Sequence, residues 1–158
     1  MFAGRTPVRM DADTLWNTLS GTLGKMAGPA FPAKGPAGPF ARLAGLEGQF
    51  KQEFGFDPSA KAEEVEGSIS QALLLMNNPQ VHQKIRAQGT NLLARILSAY
   101  PKDRDALEMV YLRTLARHPN AKESARCVSH IERVGTRAEA YEDILWALIN
   151  STEYQTKR

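Results

Sequence analysis

Few residues in this chain have the types and spacing that chemistry would need. Cys127 and His130 lie three apart, so on a helix they share a face. A thiolate and an imidazole placed that way could be two metal ligands, or a nucleophile and its base. Two ligands do not close a zinc site, and His82 and His118 would have to converge on them. Nothing in the sequence orients His130 as a base. The plainer reading is a small buried thiol and a surface histidine. No C-x-x-C-H occurs, which excludes covalent attachment of a c-type haem, and the sequence predicts no cofactor.

A second set is electrostatic. Between Arg113 and Arg137 there are six basic residues (Arg113, Arg117, Lys122, Arg126, Arg133, Arg137) and two acidic ones (Glu123, Glu132). The stretch therefore carries +4, against +3 for the whole chain. Guanidinium groups hold carboxylate and phosphate bidentately, so Arg113, Arg117, Arg126, Arg133 and Arg137 are the candidate anion-binding residues. Their spacing puts Arg113 and Arg117 on one helix face. The plainer reading is a solvated surface with local ion pairs. The interleaved aromatic platforms of a single-strand nucleic-acid binder are missing.

The acidic run Glu63, Glu64, Glu66 could serve a metal or act as a general base. It reads more simply as a solvated first helical turn, where negative charge suits the helix dipole. No P-loop, G-x-G-x-x-G, H-E-x-x-H or G-x-S-x-G motif is present.

The elements that must position these groups are helices. Asp11 is the candidate N-cap of a helix carrying Leu15, Trp16, Leu19 and Leu23, ending near Gly24. Lys25–Pro39 holds Pro29, Pro32, Pro36 and Pro39 among several glycines and reads as an irregular loop. Phe40, Leu43, Leu46, Phe50 and Phe54 have helical spacing, weakened by Gly45 and Gly48, and GFDPS at 55–59 is turn chemistry. Ser68 or Ser70 can cap a helix through Ala72–Met76, and Asn78-Pro79 opens the next, with Val81 and Ile85 as its stripe. Leu92, Leu93, Ile96, Leu97 and Tyr100 form another stripe. Asp103 or Asp105 starts a helix with Leu107, Val110, Tyr111, Thr114 and Leu115 inward, ended by His118-Pro119.

Asn120 and Glu123 have capping-box spacing, and Ala125, Val128, Ile131 and Val134 supply the stripe that Gly135 closes. Thr136 and Glu139 have the same spacing at the head of the final long helix. There Ala140, Tyr141, Ile144, Leu145, Leu148 and Ile149 make one apolar face, and Trp146 and Ala147 extend it. A helix apolar nearly all round is central, and the others are expected to pack on it. No segment alternates convincingly, so no sheet is predicted.

The chain has 158 residues, 42% hydrophobic and 23% charged, enough for a real core in one domain. Its single cysteine allows no intrachain disulfide. No apolar run is long enough to span a membrane. The N-terminal MFAGRTPVRMDAD lacks the apolar core of a signal peptide. Either the protein is cytoplasmic, or this is a piece of a longer exported chain.

FGFDPSAKAEEVEGSISQALLLMNNPQV, LEMVYLRTLARHPNAKESARC and RAEAYEDILWALINSTEY resemble the C-terminal domain of a large planctomycete family, as does PVRMDADTLWNTLSGTLG. Its members are described as proteins with a planctomycete cytochrome C domain. The resemblance covers most of the chain except Lys25–Pro39, and QALLLMNNP and ILWALINSTEY are fairly specific as a pair. These are packing and capping motifs, so the resemblance implies no catalytic residue. It implies a longer exported or cell-envelope parent, with any electron transfer lying in a different part of it.

These readings converge on an all-α domain over residues 1–158, an irregular bundle of about six to eight helices around a central C-terminal helix. The expected role is a non-catalytic interaction or structural module, with other domains of a longer parent or a protein partner as its ligand. The alternatives are a hydrolase-like enzyme whose site a missing N-terminal region completes, and a binder of acidic glycan or nucleic acid through Arg113–Arg137.

Overall fold

A computed structural model describes residues 8–10, 12–24 and 79–157. Seven helices occur among them: α1 (Ala12–Leu23), α2 (Pro79–Ile85), α3 (Leu92–Ala99), α4 (Asp103–Leu115), α5 (Ala121–Val134), α6 (Arg137–Ile149) and α7 (Thr152–Gln155). The fold is all-α. The expected N-caps Asp11 and Asn78, the Lys25–Pro39 loop, the Phe40–Phe54 helix, the turn at 55–59 and the helix through Ala72–Met76 lie outside the described residues.

One small feature departs from expectation. Strands β1 (Val8–Arg9) and β2 (Thr156–Lys157) pair antiparallel, Val8 opposite Lys157 and Arg9 opposite Thr156. The ladder continues as Met10 N–H donates to the Gln155 carbonyl at 2.9 Å. Two residues are too few to show alternation in a sequence. The pair ties the segment before α1 to the segment after α7.

The core is organised around α6, as its pattern requires. Ala140, Tyr141, Ile144, Leu145, Leu148 and Ile149 are all buried. This helix packs against α2, α3, α4, α5 and α7. Leu15, Trp16, Leu19 and Leu23 of α1, Val81 and Ile85 of α2, Leu93 and Ile96 of α3, and Leu107, Val110 and Tyr111 of α4 join the same cluster. Each buried leucine or isoleucine contributes roughly 1.5–3 kcal/mol relative to exposure. The helix is less apolar all round than its sequence suggests. Ala147 is exposed and Trp146 is only half-buried, so one edge of α6 meets solvent.

Two polar contacts lock this core. Tyr141 is fully buried, and its hydroxyl donates to the Asp103 carbonyl at 2.8 Å. Tyr154, 2% exposed, donates to Thr22 Oγ1 at 3.1 Å and so fastens α7 to α1. Burial raises both phenols, Tyr154 to about 12, so both remain protonated donors.

The two capping boxes expected from spacing behave differently. Asn120 Oδ1 accepts from the Lys122 and Glu123 N–H groups at 3.0 Å, and Glu123 Oε2 accepts from Asn120 N–H at 2.7 Å. Thr136 makes no side-chain cap bond, although it is the N-cap of α6. The first turn of α6 is anchored by Arg137 instead. Gly135, with φ +77°, closes α5 and turns the chain into α6 within two residues.

Candidate functional site

The five candidate arginines do not form one site. Arg117 lies beyond the end of α4, because Ala116 adopts the left-handed conformation at φ 53°. Arg113 and Arg117 therefore do not share a helix face, which corrects the reading from spacing. Arg117 is instead the centre of a closed clamp. Its Nε donates to Glu153 Oε1 and its Nη2 to Glu153 Oε2, both at 2.7 Å. Nη2 also donates to Glu123 Oε1 at 2.7 Å, and Nη1 to Glu123 Oε2 at 2.8 Å and to the His118 carbonyl at 3.0 Å. A guanidinium has five N–H donors, and these contacts use all of them.

The group also stacks 5.6 Å from the Tyr111 ring centroid. One guanidinium faces two carboxylates here, so Arg117 has nothing left for an external anion. The hydrogen bonds from Arg117 hold the Glu123 carboxyl down to about 2, helped by the Asn120 N–H.

Arg137 is used in the same way. Nε donates to Asp103 Oδ1 at 2.7 Å, Nη2 to the Tyr100 carbonyl at 2.7 Å and Nη1 to the Leu97 carbonyl at 3.1 Å. The carbonyls belong to the end of α3, where intrahelical donors run out. Arg137 thus joins the end of α3, the start of α4 and the start of α6. Its guanidinium lies 5.5 Å from the centroid of the Tyr141 ring.

The cations that remain lie on exposed surface. Arg113 is exposed on α4 and has no partner among the described residues. On α5, Lys122, Arg126, Ser129 and Arg133 fall within a strip about 60° wide at the rotation of a standard helix. Arg126, Ser129, His130, Arg133 and Ala125 line an open groove there. Ala125 and Ser129 are small and one turn apart, so they form its floor. Arg126 is exposed and pairs with no carboxylate among the described residues. Arg133 is oriented by a relay to α6: its Nη2 donates to His130 Nδ1 at 3.0 Å, and His130 Nε2 donates to Asp143 Oδ2 at 3.0 Å. An arginine only donates, so Nδ1 must be the bare nitrogen and Nε2 must carry the hydrogen.

This outer face also corrects the expected stripe of α5. Ala125 and Val128 are exposed, Val128 at 41%, while Ile131 and Val134 are half-buried. Steps of three residues fall about 60° short of a full turn, so those four positions wind round the helix rather than share one side. Cys127 and Ile131 are the side chains that pack on the core. No residue of α5 is fully buried.

Cys127 and His130 turn to different partners. The thiol sits 3.9 Å from the Tyr111 hydroxyl, and burial pushes it above the ordinary thiol range. It is therefore a protonated, weakly nucleophilic group. The bare nitrogen of His130 faces Arg133, which leaves it no nucleophile to activate. His118 is exposed and pairs with Glu108 at 2.9 Å, and His82 is exposed on α2. Among the described residues, no three histidine, cysteine, aspartate or glutamate side chains gather as a metal site. Glu63, Glu64 and Glu66 lie outside the described residues. Among those residues, no helix is long and apolar enough to cross a membrane.

Glu153 and Asp103, the carboxylates that complete the two clamps, stand 36 and 34 residues from their arginines. No spacing rule connects groups so far apart. A comparison with protein-family models, with curated proteins and with solved structures finds no match.

Proposed function

We propose that this chain is a non-catalytic interaction module, a rigid helical scaffold that presents the outer face of α5. The observation carrying this reading is the division of labour within one hairpin. Its α6 arm holds the core, while α5 is capped firmly at both ends and buries no residue fully. A helix held so firmly and used so little in the core is available for contact with another surface. The sequence resemblance to the C-terminal domain of planctomycete proteins with a cytochrome C domain fits this role. In that setting the partner is another domain of an exported parent chain or a separate envelope protein.

A photo-crosslinking residue placed at Ser129 in cells tests the proposal, with one at the exposed Arg95 of α3 as the control. One or a few proteins, or one domain of the parent, should be trapped at 129 and not at 95. Equal, diffuse crosslinking at both positions would refute it.

A second reading keeps support from the exposed cations. Arg113, Lys122, Arg126 and Arg133 remain after the two clamps are removed, and these could hold an acidic glycan or nucleic acid. Binding of that kind weakens steeply with salt, at about 0.9 per neutralised phosphate on logarithmic axes for duplex DNA. Four such contacts would give a slope near −3.6 in that limit. A hydrolase completed by a missing region would need a nucleophile near His130, whose bare nitrogen already accepts from Arg133.

A further inference from the structure

We propose that the groove on α5 docks a carboxylate-rich segment of a partner protein, with Arg126 and Arg133 each receiving one carboxylate. This rests on the interaction-module reading and names the chemistry of its partner.

The groove is lined by hydrogen-bond donors at the positions that matter. Arg126 is exposed and without a partner among the described residues, and Arg133 is pre-oriented through His130 and Asp143. Pre-orientation lowers the entropy lost when a second group binds. Seven residues separate the two arginines, so their Cα atoms stand about 10.5 Å apart along the axis. That is two turns of a helix, the spacing at which a helical segment repeats a side chain on one face. The floor of Ala125 and Ser129 lets the backbone of such a segment come close.

The surroundings favour an acidic protein segment over a polyanion. Lys122, Arg126 and Arg133 are only three charges, few for the many contacts on which polyanion binding relies. No phenylalanine, tyrosine or tryptophan ring on which a base could stack is among the residues lining the groove.

Selection of a random displayed-peptide library against the full chain tests this, with the Arg126→Glu variant as counter-target. The enriched peptides should carry paired Asp or Glu residues. Synthetic copies should bind the parent at least about tenfold more tightly than Arg126→Glu, and binding should weaken with salt. Arg95→Glu, a charge change elsewhere on the surface, should leave binding unchanged. Thermal unfolding of each variant reports whether it is folded, and Arg126→Ala supplies a milder second variant. No enrichment, enrichment of peptides without acidic residues, or equal loss in Arg95→Glu would overturn the proposal. So would displacement of the peptide by an oligonucleotide or heparin fragment at a lower concentration than the peptide needs. Crosslinking at Ser129 to a partner whose contacting segment has no carboxylates would overturn the acidic occupant and leave the interaction module standing.

Discussion

α5 and α6 are two arms of one hairpin, 14 and 13 residues long, joined by Gly135 and Thr136. They do opposite work. α6 buries six side chains and touches five other helices; α5 buries none fully and keeps Lys122, Arg126 and Arg133 outward. Their arginines divide along the same line. Arg137 at the head of α6, and Arg117 just before α5, are each engaged by carboxylates and carbonyls, Asp103 and Glu153 coming from distant segments. Arg126 has no such partner among the described residues. The difference shows that an excess of positive charge along a sequence is not yet a binding surface. What matters is whether tertiary structure brings a carboxylate to each guanidinium.

The largest effect should come from the apolar arm. Leu145 is fully buried in α6, so Leu145→Ala should cost about 2–5 kcal/mol, the range for a leucine deleted from a core. The matched change on the other arm, Val128→Ala, should alter stability by no more than about 0.5 kcal/mol. Urea denaturation of both variants checks the pair. Similar losses would mean that α5 carries core weight its exposure conceals.

The next effect is polar. Arg117→Met should destabilise by about 1–3 kcal/mol, because Glu123 and Glu153 would be left facing each other. The figure is discounted because the three groups are about a third exposed, where solvent screens the pair. Arg126→Met should be close to neutral by the same measurement. A pH dependence comes with the clamp. Glu123 has a folded pKa near 2, below its ordinary 4.5, so its contribution is complete above about pH 4.5 and is lost as pH falls toward 2. The parent should lose stability over that window more steeply than Arg117→Met. Parallel acid profiles would show that the clamp contributes nothing.

How much of this was legible depends on the range of each interaction. The core faces of α1, α2, α3 and α6 were readable, because Leu15, Leu19 and Leu23, or Ile144, Leu145 and Leu148, repeat at the helical period. The Asn120–Glu123 box was readable for the same reason: both halves lie within one turn. The Thr136–Glu139 spacing misled, because Arg137 reaches Asp103, Leu97 and Tyr100 and anchors that turn from outside. The α5 stripe misleads because four apolar residues at steps of three wind round the helix instead of sharing one side. The candidate site was legible only as a list of cations. Sorting Arg117 and Arg137 from Arg126 and Arg133 required Glu153 and Asp103, whose approach is set by the packing of whole helices.

The smallest effect tests how the two ends of the outward arm are fixed. The chain turns through the left-handed region just before α5 at Ala116, φ 53°, and just after it at Gly135, φ 77°. Only glycine enters that region without a steric cost, and an L-residue there is disfavoured by roughly 1–2 kcal/mol. A Cβ built on Gly135 meets nothing within 4 Å, so Gly135→Ala should cost about 1 kcal/mol from the backbone alone. The reverse change, Ala116→Gly, relieves the same strain but enlarges the entropy of the unfolded chain. The two nearly offset, leaving a gain of about 0.5 kcal/mol. The Arg117 clamp, two residues before Pro119, is positioned to hold this turn with alanine at 116. In an Arg117→Met background that constraint is gone, Ala116 can relax out of the left-handed region, and the gain from Ala116→Gly should shrink. Equal gains in both backgrounds, measured by denaturant unfolding, would show that the clamp and the turn are independent.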